Sequence, residues 1–181
     1  MTNGVSGHTL TPMHQLAGEH YLAGRKSEAV NAYQENKLFV QAVSEFEAVL
    51  DTEPQNTDAL YNLGLVFKNL REPESAVERF REVILCQPDH IGALNNLGTT
   101  LQGMINREEA LTSLRKAADL APDNFVIIFN LAKRQKDFYE WENAETNYRK
   151  VLEINESFSP AKTNLANLMR DTGRLDEAMV M

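Results

Sequence analysis

The chain of 181 residues holds one cysteine, Cys86, and no apolar run that approaches the ~20 residues of a membrane-spanning helix. A lone cysteine cannot close an internal disulfide and excludes a cysteine-based zinc cluster, which fits a reducing compartment. The expected location is the cytoplasm, with no membrane insertion. Residues 1–12 have neither the basic start nor the apolar centre of a secretory signal and read as a flexible leader. Basic residues are the minority, 18 Lys and Arg against 26 Asp and Glu, for a net charge of −8. That balance argues against nucleic acid and anionic membranes as partners, since both need a basic face. No glycine-rich phosphate loop follows a strand, and no strand is convincing. His8, His14, His20 and His90 lack the spacing that would put two on one helix face beside a carboxylate. No metal, cofactor or catalytic residue is therefore expected, and the chain reads as a non-enzyme. Cys86 falls near a helix end and reads as a small packing residue.

What the sequence does have is a repeat. Pro54, Pro88 and Pro122 are each 34 residues apart. Aligning on them brings Leu63-Gly64, Leu97-Gly98, Leu131-Ala132 and Leu165-Ala166 into phase, and Ala42, Ala76, Ala110, Ala144 and Ala178 recur at the same interval. Four residues after the first four of these alanines stand Phe46, Phe80, Leu114 and Tyr148. Apolar residues at i, i+3, i+4 and i+7 make one stripe on a helix. Gly or Ala within the stripe lets a neighbouring helix approach closely, and the large residue one turn after the alanine fills the space between units. Proline ends the second helix of each unit. Neither helix can bury its stripe alone, so the units must stack.

These residues resemble the tetratricopeptide repeat, whose signature runs from an apolar or aromatic residue through Leu-Gly, an aromatic, Ala and an aromatic to Pro. Leu60, Leu63, Gly64, Phe67, Ala76, Phe80 and Pro88 match it nearly throughout, and Leu94, Leu97, Gly98, Leu101, Ala110, Leu114 and Pro122 match with leucines for aromatics. The third unit has Ile128, Leu131, Ala132, Ala144 and Tyr148. It departs at Gln135, where an apolar residue belongs, and at Glu156, where Pro belongs; Trp141 is expected to pack at the start of its second helix. The resemblance covers roughly residues 24–181 and implies an all-α fold, a right-handed superhelical solenoid of antiparallel helix pairs.

The expected organisation is a leader over 1–12 and a solenoid over 13–181, with irregular helices in 13–56, repeats at 57–90, 91–124 and 125–158, and a partial repeat at 159–181. In the irregular part, Ala29 with Tyr33 and Ala42 with Phe46 lie 13 residues apart, not 34. Three helices are expected there, over roughly 13–22, 26–36 and 39–51. The last repeat stops in mid-helix without the polar cap that solenoids use. This end is read either as truncation of a longer array or as a face that pairs with another copy.

The concave face of such a solenoid is lined by the first helix of each unit. Carried over residue by residue, the resemblance places there Asn62, Asn96, Asn130 and Asn164; then Leu65, Thr99, Lys133 and Asn167; then Lys68, Gln102, Lys136 and Arg170; with Tyr61, Asn95, Phe129 and Thr163 beside them. An Asn amide both donates and accepts, so a row of them can pair with a peptide backbone without reading its sequence. The column is similar to the asparagine ladder of O-linked N-acetylglucosamine transferase repeat domains. The alternative is that each Asn satisfies local backbone. Lys68, Lys133, Lys136 and Arg170 would favour an acidic segment or a C-terminal carboxylate; the alternative is ordinary ion pairing on a solvated face. The carboxylate clamp for chaperone tails fits poorly, because Tyr61 and Leu65 stand where its first Lys and Asn belong.

The expected function is a protein-interaction scaffold that holds a peptide segment or helix of a partner protein in its groove. Two alternatives stand beside it: a substrate-targeting domain of a larger enzyme such as a glycosyltransferase, and a scaffold that self-assembles through its uncapped C-terminal end. The phase itself is testable. Phe80→Ala should cost about 3–5 kcal/mol in a urea melt, as large-to-small changes in a packed core do; a loss below about 1 kcal/mol would mean that the repeat has been set in the wrong phase.

Overall fold

The computed structural model describes the backbone of residues 26–101 and 106–178, and within them the side chains from residue 37 onward except that of Glu177. The expected leader, the expected helix over 13–22, His8, His14, His20 and Gln102 lie outside the described residues. The described part is helical with no strand. In chain order the helices are α1 (Lys26–Thr52), α2 (Thr57–Asn69), α3 (Pro73–Cys86), α4 (Ile91–Thr100), α5 (Arg107–Leu120), α6 (Phe125–Asp137), α7 (Trp141–Ile154), α8 (Ser159–Asp171) and α9 (Leu175–Ala178). First helices begin at 57, 91, 125 and 159 and second helices at 73, 107, 141 and 175, so both series step by 34.

The chain divides into two compact units between Arg79 and Phe80. In the first, α1 packs against α2. The two helices expected over 26–36 and 39–51 are one: α1 runs unbroken for 27 residues. Nothing in that stretch is Gly or Pro, so no residue is available to end a helix at the expected break. The core of this unit includes Val43, Leu60, Leu63, Val66, Phe67, Ala76 and Val77.

In the second unit, α4 packs on α5, α5 on α6, α6 on α7, α7 on α8 and α8 on α9. The phase residues are its core: Phe80, Ala110, Leu114, Ala144, Tyr148 and Leu165 are all fully buried. The close approach expected at the small residue is present at Gly98. A Cβ there would lie 2.5 Å from Leu114 Cγ and 2.8 Å from the Ala110 carbonyl oxygen. Trp141 opens α7, half-buried against the cluster around Tyr148, with its ring stacked on Tyr139 at 6.1 Å.

The repeat pattern did not reveal three devices, two that fix helix ends and one that pairs two helices. The first helices α2, α4 and α6 are capped at one register position: Asn56 accepts from the Ala59 N–H, His90 accepts through Nδ1 from the Ala93 N–H, and Asn124 accepts from Val126 and Ile127. His90, considered for metal binding, is thus a helix cap. At the other end, the turn into the second helix carries a six-to-one bond: Glu72 N–H to Phe67 O, Glu140 N–H to Gln135 O and Arg174 N–H to Met169 O. That closure needs a left-handed residue just before the donor. Gly173 supplies it freely, whereas Arg71 (φ 60°) and Tyr139 (φ 63°) each bear about 1 kcal/mol of backbone strain. Third, Gln135, the departure from the apolar pattern, is buried and accepts a 2.7 Å bond from Asn147 Nδ2. An amide occupies the apolar position because a partner amide meets it.

Cys86 departs from its expected packing role. It is the last residue of α3 and is exposed, next to Leu85, which is 83% exposed. Both lie past the stripe that Phe80, Val83 and Ile84 turn inward.

Gly98→Ala tests the helix approach. Because one neighbour of the added methyl is backbone, the pair must separate, and the variant should lose about 1–3 kcal/mol in a urea melt. An unchanged midpoint would mean that α4 and α5 are not in this close contact.

Candidate functional site

In the second unit the first helices of successive pairs, α4 with α6 and α6 with α8, lie directly against one another, and second helices make fewer such approaches. The first helices therefore line the inner side of this stack. The residues expected on the groove sit on these helices: Asn96 on α4, Phe129, Asn130, Lys133 and Lys136 on α6, and Asn164 and Arg170 on α8. Tyr61, Asn62 and Lys68 are on α2, in the first unit.

The four asparagines do not do the same thing. Asn62 Nδ2 donates to the Asp58 carbonyl at 2.9 Å and Asn96 Nδ2 to the Gly92 carbonyl at 3.0 Å, each a bond back to its own helix. Asn130 Nδ2 donates across to Asn95 Oδ1 on α4 at 2.9 Å. Asn164, on α8, lies beside the buried hydroxyl of Tyr148. One bond does not exhaust an amide, which has two N–H groups and an accepting oxygen.

Charge is unevenly placed. α6 carries Lys133, Arg134 and Lys136 against Asp137, and α8 carries Lys162 and Arg170 against Asp171. These two first helices are thus basic in a chain of net −8. The second helices α5 and α7 balance three cations against three anions and two against three. Lys133 is exposed and makes no ion pair with a described residue. Lys136 pairs with Asp171 at 3.3 Å, and Arg170 reaches the same carboxylate at 3.8 Å while staying exposed. Arg134, which the family pattern did not single out, donates to the Thr99 carbonyl on α4 at 2.9 Å and packs over the Phe138 ring. Lys68 is surface-accessible, yet desolvation by surrounding atoms lowers its pKa below the usual lysine value.

Phe129 is half-buried. Its ring meets Phe158 edge-on at 5.1 Å and Tyr148 at 5.9 Å, and Phe125 meets Phe158 at 5.1 Å. It is anchored in the core by these contacts. Tyr148 beneath it is fully buried. Burial first, and then the negative charge of Asp137, push its hydroxyl pKa above the usual tyrosine value, with Asn164 pulling the other way.

On the second helices, carboxylates clamp neighbouring elements. Glu109 accepts from Arg81 at 2.7 and 2.6 Å, Glu140 from Arg107 at 3.2 Å and Arg115 at 2.8 Å, and Glu145 from Arg149 and Arg174. The Arg81 bond holds Glu109, and the Arg174 bond holds Glu145, below the usual carboxylate range. Burial alone would raise Glu140, but its bonds to Arg107, Asn143 and Arg115 together bring it down. Among the described residues no group of three His, Cys, Asp or Glu could hold a metal ion, and no helix is long and apolar enough to cross a membrane.

Tetratricopeptide-repeat models match residues 58–88 and 90–121. No curated protein matches the sequence. Among solved structures, the crystal structure of MamA is similar at 20% identity and a TM-score of 0.70, covering 90% of this chain and 88% of MamA. MamA from residue 41 of Desulfovibrio magneticus RS-1 gives 17%, 0.70, 96% and 90%. YrrB, a TPR protein with an unusual peptide-binding site, gives 15%, 0.69, 93% and 80%.

The depressed carboxylates set a sign for pH. Each contributes stability that is fully present above the unfolded-state value of about 4.3 and is lost as pH falls through the lower folded-state value. The urea midpoint should therefore fall between about pH 6 and about pH 3, and fall less in Glu140→Gln/Glu145→Gln. Equal falls in both proteins would place the acid sensitivity elsewhere. The chain carries two recognised tetratricopeptide repeats over residues 58–121, and its fold is the all-α solenoid of tetratricopeptide-repeat helix pairs.

Proposed function

We propose that this protein is an interaction scaffold whose first-helix face on α4, α6 and α8 holds an extended acidic segment of a partner protein. The observation that carries the reading is the concentration of cations on α6 and α8, above all exposed Lys133 and Arg170, in a chain of net −8. An acidic partner is repelled by most of this surface and attracted by this face, which selects orientation as well as partner. Asn96, Asn130 and Asn164, with Thr163 and Asn167, supply amides and hydroxyls for a peptide backbone. Phe129 supplies an apolar wall. Because Asn96, Asn130 and Lys136 are held by bonds within the protein, little side-chain freedom remains to be lost on binding. Tyr61, Asn62 and Lys68 occupy the corresponding positions of α2. The peptide-binding site of YrrB, on a similar fold, is consistent with this use of the helices. Residence in the cytoplasm belongs to the same reading.

The test is fluorescence anisotropy with a labelled Glu-Ser repeat peptide, and a Lys-Ser repeat peptide as control. The Glu-Ser peptide should bind, more weakly as salt rises, and Lys133→Glu/Arg170→Glu should weaken it by about tenfold or more with circular dichroism unchanged. Unchanged affinity in the variant, or equal binding of the Lys-Ser peptide, would remove the reading.

A further inference from the structure

In the second unit the chain passes from a second helix to the next first helix at three connections, 86–91, 120–125 and 154–159. Consecutive helices joined by so few residues run antiparallel, so these connections share one edge of the stack. Contacts between them agree. Ile84, Ile91, Ala118 and Ala121 gather on the cluster of Leu94, Ala117 and Ile127, and Phe125 meets Phe158 at 5.1 Å. Six large apolar side chains of this unit are exposed among the described residues, and four of them, Leu85, Leu120, Val126 and Ile154, stand on this edge. Single exposed apolar residues are ordinary, but a concentration of them marks a contact surface. Leu120 and Ile154 hold one register position, the last residue of α5 and of α7. Phe158 adds to the apolar area, half-buried in the register position where Asn56, His90 and Asn124 cap the earlier first helices.

Charge on this edge is one-sided. Over residues 83–94, 117–128 and 151–162, which extend each connection by about one turn on either side, Asp89, Asp119, Asp123, Glu153 and Glu156 stand against Lys162. Lys116 meets Asp89 at 3.0 Å. Asp119, Asp123, Glu153 and Glu156 are exposed and pair with no described residue. The edge is thus opposite in sign to the first-helix face of α6 and α8.

We propose that this edge docks a basic amphipathic helix of a partner protein, with its apolar stripe on Leu85, Leu120, Val126 and Ile154 and its flanking lysines and arginines against Asp119, Asp123, Glu153 and Glu156. A helix is the form that gathers apolar residues into one stripe with cations beside it. An extended segment would need a strand edge to pair with, and the described residues contain no strand. The carboxylates orient the incoming helix, and the apolar row is dried on contact. This site does not rest on the reading of the first-helix face, since the two surfaces select partners of opposite charge.

The experiment is fluorescence anisotropy on the full chain with a labelled Leu-Lys peptide patterned as an amphipathic helix, its Leu-Glu counterpart, and the Lys-Ser repeat peptide. The Leu-Lys peptide should bind, and the other two should bind at least about tenfold more weakly, one for want of cations and the other for want of an apolar stripe. Leu85→Ser/Val126→Ser and Asp123→Asn/Glu153→Gln should each weaken the Leu-Lys peptide by about five- to tenfold with circular dichroism unchanged, because all four side chains are exposed. Lys133→Glu/Arg170→Glu should not weaken it. Unchanged affinity in either edge variant, or equal binding of the Leu-Glu peptide, would overturn the inference. So would loss of binding in Lys133→Glu/Arg170→Glu, which moves the helix to the first-helix face. A dimer of the unaltered protein in sedimentation that Leu85→Ser/Val126→Ser abolishes would give the row to a second copy and overturn it as well.

Discussion

The structure depends on how closely a first helix can approach its second. At Gly98 the approach leaves no room for a single added carbon, because the Ala110 carbonyl and the Leu114 side chain already occupy its place. Ala132, fully buried, holds the corresponding position in the next repeat. With the two helices this close, the apolar stripe of each pair is wider than one helix can offer, and it is buried only when the next pair covers it. Phe80, Leu114 and Tyr148 fill that space in turn. In the second unit the inner face follows from the same packing, since α4 touches α6 and α6 touches α8.

What was legible in the sequence was whatever this packing repeats. Leu97, Ala110, Ala144 and Leu165 fell into phase because their burial is periodic, and the helices begin where the phase puts them. The features that were missed are those the period does not encode. Whether α1 is one helix or two depended on a missing breaker, and overlapping alanine–aromatic patterns suggested a break that no residue makes. The left-handed residue before each second helix has no consistent identity, being Arg71, Tyr139 and Gly173, so only its position recurs. Gln135 looked like a defect because its partner, Asn147, lies on the other helix of the pair. His90 carries the same role as Asn56 and Asn124 by a different chemistry, visible once the three are aligned at 34 residues. Cys86 shows the converse: a residue type that is usually buried sits just beyond the stripe.

For the candidate site, the sequence gives the helix on which each residue sits but not the bonds it makes. The residues expected on the concave face lie on first helices, and their bonds differ from one repeat to the next. Asn96 turns back to its own backbone, Asn130 crosses to Asn95, and Asn164 faces a buried hydroxyl. Lys136 is neutralised by Asp171, whereas Lys133 is not paired with a described residue. A column of identical residues is therefore graded in chemistry, and α6 and α8 add exposed cations to it. This asymmetry, and not the count of asparagines, underlies the proposed use of the α6 and α8 face.

The central claim is that a partner segment lies on the first-helix face. Amide and side-chain chemical-shift mapping of the isotopically labelled chain during titration with the Glu-Ser repeat peptide tests it most directly. The account predicts shifts gathered on Asn130, Lys133, Asn164, Asn167 and Arg170, with α5 and α7 unmoved. Shifts gathered instead on Arg115, Lys116, Arg149 and Lys150 of the second helices would contradict it.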